Sequence, residues 1–327
     1  MADSLRHADN DFPVLDLGLS GTADGHRQLV QDFLHTYSSI GFSAVVNHGI
    51  PADLMNGVFD ASRRFHAQSL AEKNKISLDS NHRGYIAIDT STDVNSQLDN
   101  VTLPNQSESF MLMREDAADS HAVRSGAFLA GANQWPALDN FKKPVNDYLD
   151  AATQLAQRLI SITAEALGCA DSQLSTLFSP PTLWLRLLHY PPRPNNAPDN
   201  LYGSAPHTDF GALTLLLQDD IGGLQVKHPQ GHWLDVPCIP GALVVNVGDM
   251  LHRLSNGRLR STPHRVINRS GLERYSCAFF YDPYVDSTIT PLPQCTDNQT
   301  PARLEPLNFG EFLRNELSAS YQQHQQS

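Results

Sequence analysis

Two histidines and a carboxylate carry the strongest chemical signal in this chain. His207-Thr208-Asp209 is an H-x-D triplet, and His264 follows much later in Pro263-His264-Arg265-Val266. Two imidazoles and one carboxylate on one face of a metal leave three positions open, which suits an iron(II) that must also bind substrate and oxygen. On a strand, residues i and i+2 point the same way, so an H-x-D at a strand end presents both donors to one side. The triplet by itself is weak evidence. With 14 histidines and 27 aspartates in 327 residues, roughly one H-x-D arises by chance, and His7-Ala8-Asp9 is a second. The R-x-S at Arg274-Tyr275-Ser276 is likewise matched by Arg253-Leu254-Ser255.

The second histidine must be brought alongside by the fold. After Pro181 the chain reads as short β-rich runs at 183–190, 212–218, 224–228, 233–236, 242–247, 264–268 and 275–281, separated by Gly, Pro, Asn and Asp clusters. Such a series predicts a sandwich or barrel, and a closed double-sheet roll hides its edges most simply. Upstream, strands are expected at 12–17 and 42–46. Helices are expected around Leu29, Phe33 and Tyr37, stopped by Gly41, and along Leu54, Val58 and Phe65. From 77 to about 134 the periodicity is weak and reads as loops with short strands. A long helix fits 140–167, striped by Val145, Tyr148, Ala152, Leu155 and Leu159 and ended by Gly168. A last helix covers 309 to about 321, and 322–327 reads as a frayed polar end. The fold class is mixed α+β, a distorted double-stranded β-helix (jelly roll) with an N-terminal α/β region and flanking helices. The segments are 1–120, N-terminal; 121–180, connecting segment and long helix; 181–300, jelly roll; and 301–327, C-terminal helix and tail.

Composition narrows the partners. With 23 Lys+Arg against 35 Asp+Glu, the net charge is −12. Phosphate backbones and anionic lipid surfaces repel such a chain, so neither nucleic acid nor membrane is expected. No apolar run approaches the roughly 18 residues of a membrane span, and 1–17 does not read as a signal peptide. Cys169, Cys238, Cys277 and Cys295 contain no C-x-x-C and read as reduced, packed cysteines of a cytoplasmic protein. Of the other polar residues, His48 reads as a turn brace, and Asn246 and Asp249 as turn or outer supports. His228 and His232, with Pro229 and Gly231 beside them, read as a hairpin turn. Arg186 shares a strand face with Leu188 and Tyr190, so it either reaches a pocket or pairs at the core edge.

Taken in order, the motifs resemble the isopenicillin N synthase-like branch of the iron(II)/2-oxoglutarate-dependent oxygenases. The resemblance spans nearly the whole chain, from Phe12-Pro13-Val14-Leu15-Asp16 and Asn47-His48-Gly49-Ile50-Pro51 through Arg83-Gly84-Tyr85, Glu108-Ser109-Phe110 and Asn133-Gln134-Trp135-Pro136 to Asn246-Val247-Gly248-Asp249. It implies that His207, Asp209 and His264 bind iron, and that Arg274 and Ser276 grip the distal carboxylate of 2-oxoglutarate, a fork and a hydroxyl suited to that task. It implies that Tyr190 helps hold the same acid. Where plant members read Asn-Tyr-Tyr-Pro, this chain has Leu188-His189-Tyr190-Pro191, which removes an amide from that neighbourhood.

The implied activity is a dioxygenase using Fe(II), 2-oxoglutarate and O2, with ascorbate as a candidate reductant. It hydroxylates, desaturates or cyclises a small molecule and releases succinate and CO2. Two alternatives stay open: a 2-oxoglutarate-independent oxidase of the isopenicillin N synthase type, for which Gln322, Gln323, Gln325 and Gln326 are candidate ligands, and a non-catalytic binding protein. A monomer or weak homodimer is expected. Loops at 77–105 and 192–205 are expected at the mouth, and Asn195, Asn196 and Asn200 hint at a polar substrate.

Overall fold

In the first long helix, α1 (Ala23–Ser39), the Thr22 hydroxyl caps the N-terminus by accepting the Gly25 N–H at 3.1 Å. Leu29, Phe33 and Tyr37 then recur on one face and are buried. The structure, a computed structural model, describes residues 12–91, 98 and 101–322. His7, Asp9, Gln323, Gln325 and Gln326 lie outside the described residues.

The strands, in chain order, are β1 (Val14–Asp16), β2 (Phe42–Val46), β3 (Gly84–Ile86), β4 (Glu108–Met113), β5 (Thr182–Tyr190), β6 (Ser204–His207), β7 (Leu213–Gln218), β8 (Leu224–Lys227), β9 (Trp233–Asp235), β10 (Leu243–Val247), β11 (His264–Val266), β12 (Arg274–Asp282), β13 (Thr288–Ile289) and β14 (Leu307–Asn308). The helices after α1 are α2 (Ala52–His66), α3 (Leu70–Lys73), α4 (His121–Arg124), α5 (Lys142–Leu167), α6 (Asp171–Ser175), α7 (Asp249–Leu254) and α8 (Phe309–Gln322).

Eight strands form one sheet in the order β1-β2-β10-β7-β12-β5-β4-β3, and four form a second in the order β6-β11-β8-β9. Pairing is antiparallel in both apart from β1 and β2, which run parallel. The central strands are buried on both faces, and alternation divides their side chains. Leu185, Leu187 and Phe279 face one apolar core with Phe33, Phe65, Tyr148 and Leu159 of α1, α2 and α5. Leu188, Tyr190 and Ala278 face a second core with Leu224, Val226 and Val266 of the smaller sheet. The large sheet thus has helices on one face and the small sheet on the other, a jelly roll with flanking helices.

Three local differences from the sequence expectation have physical causes. The long helix begins at Lys142 because Asn140 takes a left-handed backbone, φ 53°, and Phe141 precedes the first helical residue. It ends where expected, with Gly168 left-handed at φ 75° and its N–H bonded to Ala164 and Glu165 carbonyls. Strand β6 is absent from the expected series because Ser204-Ala205-Pro206-His207 contains a proline; it lies at a sheet edge, where a missing N–H is tolerated. The six-residue helix α7 is too short to leave a periodic signal. Among the described residues no helix is long and apolar enough to cross a membrane.

Candidate active site

Strand β6 ends on His207 and β11 begins on His264, and the two residues are direct partners across the small sheet. Their rings are 4.3 Å apart. Asp209 follows two residues later on the turn into β7. Each histidine donates Nδ1–H to a carbonyl two residues back, His207 to Ala205 at 2.7 Å and His264 to Thr262 at 3.2 Å. That leaves Nε2 as the lone-pair atom of each ring. Both Nε2 atoms face Asp209 Oδ1, at 3.7 Å from His207 and 3.6 Å from His264, too long for hydrogen bonds. The three donor atoms lie within 4.8 Å of one another.

The other carboxylate oxygen is already occupied. Asp209 Oδ2 accepts Asn246 Nδ2 at 2.7 Å and the Thr214 hydroxyl, and these two residues face each other across β10 and β7. Burial raises the Asp209 pKa, but positive charge at the His264 and His207 positions and these two hydrogen bonds outweigh it and bring it below its usual range. Three lone pairs converging on one point repel each other unless a cation lies among them. The donor set fits a divalent iron.

A second charged feature stands beside the first. Arg274 opens β12 and is fully buried. Its Nε donates to the Gly222 carbonyl at 2.7 Å, and its terminal nitrogens donate to Ser276 Oγ and Gln218 Oε1, both at 3.3 Å. Tyr190, its partner on β5, places its ring 4.7 Å from the guanidinium carbon. All the hydrogen-bond partners are neutral. A cavity of about 80 Å³ separates this guanidinium from the histidine–aspartate cluster, with Tyr190, Ser276, Arg274 and all three donors in its walls. A buried cation facing an empty space invites an anion.

On the other side of the three donors is a cavity of about 170 Å³ lined by Ile86, Met111, Trp184, Phe280, Leu313 and Leu317, with Arg186 among its polar groups. The mouth loops contribute Ser91, Asn105 and Ser204, whereas Asn195, Asn196 and Asn200 do not line it. Those asparagines supply none of the walls, which are mostly apolar and come from sheet strands and α8. Residues 92–97, 99 and 100 of the 77–105 loop lie outside the described residues.

The remaining polar residues sort by contact. His48 braces a turn, its Nε2 donating to the Gly241 carbonyl and its Nδ1 accepting the Ile50 N–H. His228 and His232 stack at 4.6 Å in a β8–β9 hairpin. Asp249 accepts from the Thr208 hydroxyl, next to the donors but not among them. His189 points to the opposite sheet face from Tyr190, donating Nδ1–H to Glu108 Oε1 at 2.8 Å. The departure at Leu188-His189 therefore changes the back of the sheet as well as the pocket, where Leu188 is a wall. Gln218 and the Gly222 carbonyl, which complete the Arg274 cradle, leave no signal in the sequence. Their role depends on a turn after β7 that meets β12 only in the fold.

Comparison with known proteins bears on this geometry. The family model described as the 2OG-Fe(II) oxygenase superfamily matches residues 181–283, and the model described as non-haem dioxygenase in morphine synthesis N-terminal matches 12–138. The chain is 35% identical to a 2-oxoglutarate-Fe(II) type oxidoreductase of Emericella nidulans, over 94% of this chain and 90% of that one. It is 35% identical to a 2-oxoglutarate-dependent dioxygenase of Monascus ruber, over 84% and 85%. The crystal structure of full-length Neurospora crassa T7H with alpha-KG and thymine superposes with a TM-score of 0.84 at 28% identity, covering 97% of this chain and 99% of that one.

Proposed function

This chain belongs to the iron(II)/2-oxoglutarate-dependent oxygenase superfamily and is a dioxygenase of that type, and from this we propose a role for each site residue. His207, Asp209 and His264 hold the iron. Arg274 and Ser276 grip the distal carboxylate of 2-oxoglutarate, and Tyr190 packs against it. The substrate is a small molecule seated in the 170 Å³ cavity, and the outcome is hydroxylation with release of succinate and CO2, with ascorbate as the external reductant. The observation that carries the assignment is the convergence of three lone-pair donors on one point beside a buried guanidinium with only neutral partners.

Iron(II) with 2-oxoglutarate and O2 supplies an oxidant able to take hydrogen from an unactivated C–H bond. The protein's own residues supply orientation and dryness. The Ala205 and Thr262 carbonyls fix the histidine tautomers, Thr214 and Asn246 aim Asp209 Oδ1, and Arg274 sets the acid's direction. The apolar walls keep bulk water from the reacting carbon. Within this scheme segment 181–300 carries the chemistry, while 1–120 and 301–327 add walls through Ile86, Met111, Leu313 and Leu317. A cytoplasmic monomer or weak homodimer is the working state.

The test is anaerobic titration of the iron(II) protein with 2-oxoglutarate, following the weak visible absorption of its chelate. A saturating band in the wild type supports the assignment. Absence of the band, with oxygen uptake driven by substrate alone, overturns it.

A further inference from the structure

A second guanidinium on the same sheet face forms no ion pair among the described residues. Arg186 lies mid-strand on β5, opposite Ala278 of β12 and Met111 of β4. Its Nε donates to Ser109 Oγ at 2.8 Å, a diagonal contact onto β4. Among the described residues its terminal nitrogens have no hydrogen-bond partner and no carboxylate lies within ion-pair distance. With Nε held, the fork formed by the two terminal nitrogens is the part left to bind a ligand.

Arg186 lines both the 80 Å³ and the 170 Å³ cavity, and the smaller already has Arg274, which leaves the fork of Arg186 for the larger. Arg186 is the one lysine or arginine among the described residues lining the 170 Å³ cavity, whose walls are otherwise mainly apolar. An apolar cavity of about 150 Å³ accommodates benzene, so there is room for one ring with small substituents. Apart from Asp209, the one acid lining the space is Asp282, whose carboxyl burial pushes up to about 7 against the hydrogen bond from the Ala212 N–H. It accepts from the backbone at 2.8 Å and forms no ion pair with Arg186. A half-buried guanidinium in apolar walls favours a carboxylate, which it binds with two parallel hydrogen bonds, over a neutral amide of the same shape.

We propose that Arg186 is a specificity-determining residue that binds the carboxylate of the primary substrate, and that this substrate is a one-ring organic acid. Ser109 acts through Arg186, as a positioning residue. The proposal rests on the dioxygenase assignment above.

The test uses iron(II) protein saturated with 2-oxoglutarate under anaerobic conditions. Benzoate, the hydroxybenzoates and the pyridine monocarboxylates, each with its carboxamide twin, are titrated by calorimetry into wild type, Arg186→Met, Arg186→Lys and Ser109→Ala. At least one acid is expected to bind wild type tenfold or more tighter than its amide. That preference should fall about a hundredfold in Arg186→Met, be partly kept in Arg186→Lys, and weaken about tenfold in Ser109→Ala. The 2-oxoglutarate band should titrate as in wild type in all three variants, which also shows that they are folded. The proposal is overturned if no acid binds ahead of its amide, or if the preference survives Arg186→Met. It is also overturned if Arg186→Met weakens the 2-oxoglutarate titration and leaves acid binding intact, since Arg186 would then serve the cosubstrate. A wild type with no band overturns the parent assignment instead, and this proposal with it.

Discussion

Two buried charged clusters lie back to back across β4, β5 and β12, and they are built differently. On the helix side, Glu108 accepts Lys73 Nζ at 2.6 Å, His189 Nδ1 at 2.8 Å and the Tyr85 hydroxyl, and His189 stacks on Tyr275 at 4.7 Å. Both carboxylate oxygens are used and the cation has its anion. On the cavity side, Arg274 has only neutral partners, and Asp209 keeps Oδ1 facing two histidine lone-pair atoms. In the first cluster the charges are matched within the protein, although His66 Nε2 and His189 Nε2 find no hydrogen-bond partner among the described residues. The second needs two guests, a cation and an anion. Buried charge alone therefore does not mark a site. What distinguishes the second cluster is that a buried cation and three converging donors line one cavity.

The contrast predicts that damage on each side reads out differently. Asp209→Ala removes the anionic donor and should abolish both iron retention and turnover. Outer partners of a ligand are worth about ten- to hundredfold in metal affinity, and a direct ligand more. Metal analysis after desalting checks it, and normal iron content in the variant would refute the donor assignment.

Glu108→Gln should do the reverse. Removing one partner of a buried pair costs about 3–5 kcal/mol of stability, measurable by urea denaturation, while the 2-oxoglutarate titration stays as in wild type. The acid limb gives an independent check. Burial raises the Glu108 pKa, but hydrogen bonds from His189, Lys73 and Tyr85 outweigh it and bring it down to about 2 from 4.5. Burial brings His66, in the same cluster, down to about 3 from 6.5. Both folded values are depressed, so both contributions are complete above the ordinary value and are lost as pH falls. His66's is lost from 6.5 toward 3 and Glu108's from 4.5 toward 2. His66→Gln should therefore flatten the stability profile between pH 6.5 and 4.5 by one proton's slope, about 1.4 kcal/mol per pH unit. An unchanged slope would show that His66 is not buried neutral.

Arg274→Leu should raise the 2-oxoglutarate concentration at half-saturation about a hundredfold, on the order of 3 kcal/mol for a lost charged hydrogen-bond pair. Iron binding and urea midpoint should change little. A shift in iron affinity as large as that in 2-oxoglutarate would merge the two guest sites into one. The smallest effect is expected at Asn246→Ala, which leaves Thr214 to hold Asp209 alone. Iron affinity should fall about tenfold, within the range for outer partners, with no change at the Arg274 site.

The division between sequence and fold can be followed residue by residue. Strand β2 matched its apolar run over 42–46, and the α5 stripe ended at Gly168, because burial periodicity and a left-handed cap are local properties. The histidine–aspartate donors and the R-x-S were legible because a family resemblance supplied the order of motifs. The chance frequency of H-x-D would otherwise have left His7-Ala8-Asp9 as a rival. Strand β6, which delivers His207, was invisible because Pro206 suppresses the strand signal and sheet edges are stabilised by their neighbour. The asparagines at 195, 196 and 200 lie off the cavity lining, because polarity in a loop reports exposure, not which way the loop faces.

By itself the sequence determined the class of chemistry and the alternation that puts Arg186, Leu188 and Tyr190 on one face of β5, since side-chain direction along a strand follows from backbone geometry. Only the tertiary structure decided which charges were left without a partner. Gly222 and Gln218 reach Arg274, Ser109 holds Nε of Arg186, and Glu108 is closed off by Lys73 and His189, all through contacts between chain segments far apart in sequence. Whether a buried charge is satisfied depends on every group within hydrogen-bond reach, and that neighbourhood exists only once the sheets have packed.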